Sequence, residues 1–451
     1  MPLTRSNWQR NKDGLGVWEH RGKVAVAGWG QSPIDRRWDG VSLDKTMGAY
    51  TMIAIQNALK DAGLTLDDVD GLLTSPDTRV GQTWAPRPYF EAPYDSEDGI
   101  TLCSGEWIQK QMGMKNVKYI ESNSQAMAGL MGHAAQAVGE GEAEVLVVWY
   151  PMGNLEGRYE QGATNVNSGT YTRGNAAFNA AWGYQSGAQM NALMVFEQYC
   201  RKYGYPIDGG LAPFAVNQRR NGLMTPWGFY AQHEPYQITE EDYINSRYES
   251  EPLRILDCDR PVMGVAAFVY TTAARAKDMR QKPVYILNHA TASDPARSTM
   301  ATLEEHQESC RRLGARMYEG SGLSAADVDV FNPYDGYLTF TQQFFEGFNW
   351  HGVKEGEAMD FYKGDMRVEG PHPFLSSGGN NGTGRTRSAI MSDCIEQLRG
   401  QAGGMGDGVQ HPGAPNPGPR QIQIRHETAL MGALTPGGAT FLMFSTDPMA
   451  S

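Results

Sequence analysis

Short, continuously apolar runs alternate along the chain with longer stretches whose apolar residues recur at helical spacing. KVAVAGWG (23–30) reads as a buried strand, and TMGAYTMIAIQNALKDAG (46–63) as a helix that Gly63 ends at its C′ position. VKYIES (117–122), SQAMAGLMGHAAQAVGEG (124–141) and AEVLVVWYP (143–151) continue as strand, helix and strand, the last apolar throughout, as in a strand buried on both faces. This order predicts an α/β layered architecture.

A long-period repeat refines it. DAGLTLDDVDGLLTSPD (61–77) returns as GSGLSAADVDVFNPYDG (320–336), with Gly63 matching Gly322 and Asp70 matching Asp329. Each copy follows a predicted helix (46–62 and 301–319), and each helix follows a predicted strand (23–28 and 282–290). A spacing of that length is too great for a solenoid and fits a duplicated α/β unit, with halves at 1–277 and 278–451. Residues 153–250 interrupt the pattern with Gly, Asn, Tyr and Trp, and read as a cap laid over the first half, helical near 184–204 and 211–222. A further helix starts at Thr239, whose first turn is acidic. QAGGMGDGVQHPGAPNPGPR (401–420) reads as a surface loop, and the chain closes on two strands around a turn at Pro436, Gly437 and Gly438.

The formal charge of −12 argues against nucleic acid or an anionic membrane as the main partner. Five cysteines, Cys103, Cys200, Cys258, Cys310 and Cys394, form no CxxC pair and read as thiols of a reducing compartment. No apolar leader core and no uninterrupted apolar span of membrane length is present, so the expectation is a cytoplasmic protein.

Two stretches hold candidate chemistry. In SSGGNNGTGRTRSAIMSDCIEQLRG (376–400) a Gly/Asn-rich loop opens a helix, one residue short of a phosphate-cradling GxxxxGK[ST] loop, but Arg385 stands in place of the lysine. Two readings stay open: glycines that let another backbone pass closely, or a backbone site for a thioester or pyrophosphate ligand at Gly378, Gly379, Asn380, Asn381 and Gly382. In VDVFNPYDGYLTFTQQFFEGF (328–348) a strand ends at Tyr334 and Asp335, where α/β sheets place ligands, and a tyrosine hydroxyl can serve as acid, base or oxyanion donor. A structural Tyr-Asp turn is the competing reading. The histidines, His372 among them, have no ligand spacing, and no metal motif is present. DCDRP (257–261) reads as a strand-edge turn with solvated Asp257 and Asp259.

Taken together, the duplicated halves, NPYDGY, SGGNNGTGR and ALMGALTPGGATFLMFS resemble the thiolase superfamily, in its sterol-carrier-protein-x and lipid-transfer-protein branch. PLRILDCDRPVMGVAAFVYTTAARA (252–276) is similar to the end of the first half there, with Met263 in place of an aspartate. The resemblance implies duplicated βαβαβαββ halves in a five-layered α-β-α-β-α core. It also exposes departures. Ala126 stands where a thiolase has its nucleophilic cysteine, Met431 where it has its acid/base cysteine, Gly382, Thr383 and Gly384 where Gly-His-Pro would fall, and Tyr334 at the oxyanion asparagine. Acyl transfer through a cysteinyl thioester is therefore unavailable. A Tyr-Asp motif without the cysteines resembles the steroid side-chain aldolases. These cleave β-hydroxyacyl-CoA thioesters by a retro-aldol reaction, are homodimeric at the core, and work with an OB-fold, zinc-ribbon partner. The resemblance implies a carbon–carbon lyase acting on a bulky acyl-CoA, with no cofactor beyond the CoA thioester itself. Tyr334 is then the acid/base, Asp335 orients its turn, and Asn380 to Thr383 are candidates for holding the enolate. Those aldolases commonly carry a second tyrosine at the position of Thr383, so either another group such as His372 or Tyr337 makes the second proton transfer, or the substrate is different. A thiolase-like acyltransferase or a non-catalytic subunit of a complex are the alternatives.

Overall fold

The computed structural model describes residues 8–75, 103–122, 126–153, 187–292, 302–386, 388–402 and 420–450. The strands β1 (Val24–Gln31), β2 (Gly71–Thr74), β3 (Tyr119–Ser122), β4 (Val145–Trp149), β5 (Ala266–Thr272), β6 (Val284–Thr291), β7 (Val330–Asn332), β8 (Thr428–Ala433) and β9 (Thr440–Ser445) share one sheet, in the order β7-β8-β9-β6-β1-β5-β4-β2-β3. From the antiparallel β1–β6 pair at its middle, the order outward is the same on both sides: β5, β4, β2 and β9, β8, β7. The strand senses repeat as well. β1–β5 and β6–β9 are antiparallel, β5–β4 and β9–β8 antiparallel, β4–β2 and β8–β7 parallel. Among the described residues, β3 extends only the first half.

The internal repeat is matched bond for bond. Helix α1 (Met47–Ala62) ends on Gly63 at φ 75°, and its counterpart, Leu303–Ser321, on Gly322 at φ 69°, the left-handed cap that glycine adopts without strain. Thr65 with Asp68, and Ser324 with Asp327, then each close a capping box. An Asp70 carboxylate oxygen accepts the Val145 N–H at 2.8 Å and an Asp329 oxygen the Thr428 N–H at 3.0 Å, tying the approach to β2 and to β7 onto the neighbouring strand.

The remaining long helices are α2 (Gly105–Met112), α3 (Met127–Glu140), α4 (Gly187–Tyr203), α5 (Ala212–Leu223), α6 (Leu303–Ser321), α7 (Leu338–Gly347) and α8 (Ala389–Arg399). Every residue of α8 and nearly all of α3 are buried. α3 packs on strands of both halves, and Arg399 of α8 reaches Asp61 at 2.7 Å and the Ala27 carbonyl at 3.0 Å. With α1 on the first half of the sheet, α6 on the second and α3 against both, the order is α, β, α, β, α, the two β layers being the halves of one sheet, in keeping with what the resemblance implies. The expected hairpin at the chain's end is β8–β9. The two expected cap helices are α4 and α5; residues 154–186 of that cap and 403–419 of the Gly/Pro-rich loop lie outside the described residues.

Candidate active site

β7 delivers its last residue, Asn332, onto α8: Asn332 Nδ2 donates to Asp393 Oδ2 at 2.9 Å and to the Ile390 carbonyl at 3.0 Å. The chain then turns through Pro333, Tyr334 and Asp335. Asp335 is fully buried, and its carboxylate accepts the backbone N–H groups of Asn380 (2.9 Å) and Asn381 (3.0 Å) and the side-chain amides of Asn380 (2.9 Å) and Gln218 (3.1 Å). Burial pushes this carboxyl up to about 6, against the four donors, which favour its charged form. Asp335 thus clamps the Tyr334 turn, the single-turn helix Gly379–Thr383 and α5 together.

Beside that clamp lies a second buried cluster. A Cβ at Gly336 would collide with the Tyr334 hydroxyl and stand 2.8 Å from Asp259 Oδ2, so both oxygens converge on this glycine. The Asp259 N–H donates to the Gly336 carbonyl at 2.9 Å, and Cys258 bridges Tyr337 as a short antiparallel pair. Arg385 enters from the end of the Gly-rich turn, its N–H on the Arg260 carbonyl at 2.8 Å and its Nε 3.8 Å from Asp259 Oδ2. Burial opposes the Arg385 charge, yet Asp259, Tyr334, Tyr337 and Tyr150 together hold its pKa above the ordinary value. Burial, with Cys258 adding to it, drives the Tyr337 phenol well up. Asp257 and Asp259 are buried and not solvated as the sequence predicted. Asp257 accepts from the Tyr243 hydroxyl and from the Arg254 N–H, whereas Asp259 faces the Tyr334 cluster.

Three expectations need correction. Gly378, Gly379, Asn380, Asn381 and Gly382 do not form an open ligand cradle. A Cβ at Gly378 or Gly382 would strike the Gln218 carbonyl, and one at Gly379 would strike Asp335, so these faces are filled by α5 and by the clamp. The backbone donors of Asn380 and Asn381 are spent on Asp335 rather than aimed at an enolate. Thr383 is buried, donates its hydroxyl to the Gly379 carbonyl within its own turn and sets its methyl against Gly228. His372 is exposed and packs on His351, with 4.7 Å between ring centres. His351 in turn stacks on Trp350, whose indole N–H holds the Val328 carbonyl at 2.9 Å, so His372 belongs to the amino end of β7 while Tyr334 follows its carboxyl end. Of the candidates for a second proton transfer, only Tyr337 is brought to Tyr334.

Ala126 is the N-cap of α3, and Met431 is fully buried in β8 opposite Asn332. All five cysteines are buried. Desolvation pushes Cys103 and Cys200 up to about 12 and Cys258, Cys310 and Cys394 well up, so none is a ready thiolate. Among the described residues, Glu19, His20 and Glu140 come within metal-ligand reach of one another, at the far end of α3 from Ala126. Surface hollows of about 360 Å³ beside Gly63 and Arg280 and about 320 Å³ beside Asp327 and Arg425 lie at the amino ends of β2 and β7, away from Tyr334. No described helix is long and apolar enough to cross a membrane.

The repeated strand order around β1–β6 and two buried helices at the centre define a thiolase-like α/β fold. Residues 290–414 match the family described as thiolase C-terminal domain-like. A 17-hydroxy-3-oxo-4-pregnene-20-carboxyl-CoA lyase of Mycobacterium tuberculosis is 29% identical over 79% of this chain and 88% of its own length. A steroid side-chain-cleaving aldolase of Thermomonospora curvata is 27% identical over 80% of this chain and 86% of its own. The solved structure of an Ltp2–ChsH2(DUF35) aldolase superposes with a TM-score of 0.70 at 24% identity, covering 94% of this chain and 98% of that one. Residues 290–414 thus carry a thiolase C-terminal domain-like region, and the chain as a whole is homologous to the steroid side-chain-cleaving aldolases.

Proposed function

We propose that this protein is a carbon–carbon lyase that cleaves a bulky β-hydroxyacyl-CoA by a retro-aldol reaction, with Tyr334 as the acid/base. The observation that carries the assignment is the Tyr334 turn itself. A phenol held by a buried carboxylate clamp at the end of β7 faces a charged Asp259–Arg385 pair, while Ala126 and Met431 supply no thiol. In the reaction Tyr334, as its phenolate, takes the β-hydroxyl proton and becomes a phenol, the oxygen's electron pair forms the carbonyl as Cα–Cβ breaks, and the thioester enolate left behind takes a proton at Cα from a second phenol, which regains it from Tyr334. Protons and electrons balance within the substrate and these side chains. Tyr337, in the same cluster, is positioned to return the proton. The relatives' names point to a polycyclic acyl group.

The catalytic unit is proposed to be a homodimer, with an OB-fold, zinc-ribbon protein as its acyl-CoA-binding partner, in keeping with the two-protein aldolase that shares this fold. Tyr334→Phe removes the proton carrier and is expected to lower cleavage of a β-hydroxyacyl-CoA roughly 100- to 10,000-fold, with thermal unfolding little changed. Wild-type turnover in that variant, assayed with the partner present, would remove Tyr334 from the mechanism.

A further inference from the structure

The Asp259–Arg385 pair is a poor candidate for simple stabilisation. Both side chains are buried and their charged atoms stand 3.8 Å apart, a looser contact than the 2.7 Å of the structural Arg399–Asp61 pair elsewhere in the core. A buried ion pair is by itself weak evidence for a stabilising role. The pair sits where three chain segments meet: Tyr334–Tyr337 lies against Cys258–Asp259 at Gly336, and Arg385 joins that same segment at Arg260.

We propose that Asp259 and Arg385 are positioning residues that set the proton affinity of Tyr334, the guanidinium favouring the phenolate and the carboxylate holding that guanidinium in place while opposing the phenolate. The inference rests on Tyr334 as the proton carrier of the proposed lyase reaction. Only a base can draw the proton from a β-hydroxyl, and a tyrosine in an apolar site holds little of its basic phenolate form at neutral pH, because burial disfavours the anion. Arginine keeps its charge when buried and so supplies a lasting counter-charge. Among the described residues, Asp259 and Cys258 from the segment before β5, Tyr337 from its own turn and Arg385 after the Gly-rich turn gather with Tyr334, and Tyr150 after β4 interacts with Arg385. Asp335 is turned away onto Asn380 and Asn381. Of these, only Arg385 carries positive charge, and only Asp259 is a carboxylate.

Opposite signs make the proposal testable without substrate. The tyrosinate absorbance of the protein minus that of its Tyr334→Phe variant gives the titration of this one phenol, and the same difference can be taken on Arg385→Gln and Asp259→Asn backgrounds. Arg385→Gln is expected to raise the midpoint by about a pH unit or more and Asp259→Asn to lower it, with Arg385→Lys between wild type and Arg385→Gln. In the pH profile of kcat/KM the acidic limb should move the same way in each variant. Midpoints that do not move, or that move in one direction for both variants, would overturn the proposal even in an active lyase. Opposed shifts in a protein that cleaves no β-hydroxyacyl-CoA would instead uphold the charge pair and refute the lyase reading.

Discussion

At the scale of single residues, the buried carboxyls report most. Glu346 on α7 lies under α4, accepting from the Tyr199 hydroxyl and the Ala358 N–H, and burial pushes it up to about 7. A carboxyl whose folded pKa is raised binds protons more tightly in the native state. Its contribution to stability is therefore full below the ordinary glutamate range and fades as pH rises through about 7. Glu346→Gln should flatten the fall in melting temperature between mildly acidic and neutral pH relative to wild type, and an unchanged slope would show that Glu346 does not titrate there. The sequence did not reveal such groups. Asp259 and Arg385 are separated by a long stretch of chain and meet only in the folded protein, so hydropathy marks each as an ordinary solvated charge. The apolar run VMGVAAFVY just after DCDRP was the available signal that Asp259 enters the core. His372 misled for the opposite reason: a histidine near a glycine-rich loop in sequence stands at the other end of β7 in space.

At the scale of elements, the repeat was legible because it is local. Gly63 and Gly322 cap helices, Thr65 and Ser324 close capping boxes, and Asp70 and Asp329 each tie two strands, all within a short window of chain. The Gly-rich turn was only half legible, since glycine serves equally for a ligand and for a neighbouring backbone. The structure decides for the backbone: α5 lies so close that a Cβ at Gly222 would strike the Gly382 carbonyl. Gly382→Ala must push α5 away and loosen the Asp335 clamp, and is expected to cost about 1–3 kcal/mol of stability, read as a lowered midpoint in denaturant, together with lost turnover. A fully stable, fully active Gly382→Ala protein would mean that this close packing is dispensable.

Across the whole molecule, the order and senses of the strands repeat about β1–β6, so two halves present equivalent strand ends around α3 and α8. The first half would place a nucleophile at Ala126 and the second an acid/base group in β8 at Met431, and neither carries a thiol. The turn after β7 carries the phenol of Tyr334 with charged neighbours, and the proposed reaction asks of it proton transfer without a covalent acyl intermediate. The sequence conveyed this division well, because missing residues at motif positions are visible without coordinates. It did not convey the packing that turns Asp335 into a clamp, since that depends on α5 arriving from a different part of the chain.

The most direct test is to incubate the protein, alone and with an OB-fold, zinc-ribbon partner, with β-hydroxyacyl- and β-ketoacyl-CoA esters, following both the acyl-CoA products and the intact protein mass. The account predicts a shortened acyl-CoA and a carbonyl product from the β-hydroxy ester, lost in Tyr334→Phe, with the protein mass unchanged throughout. An acyl adduct on the protein, or no cleavage of any β-hydroxyacyl-CoA with the partner present, would contradict it.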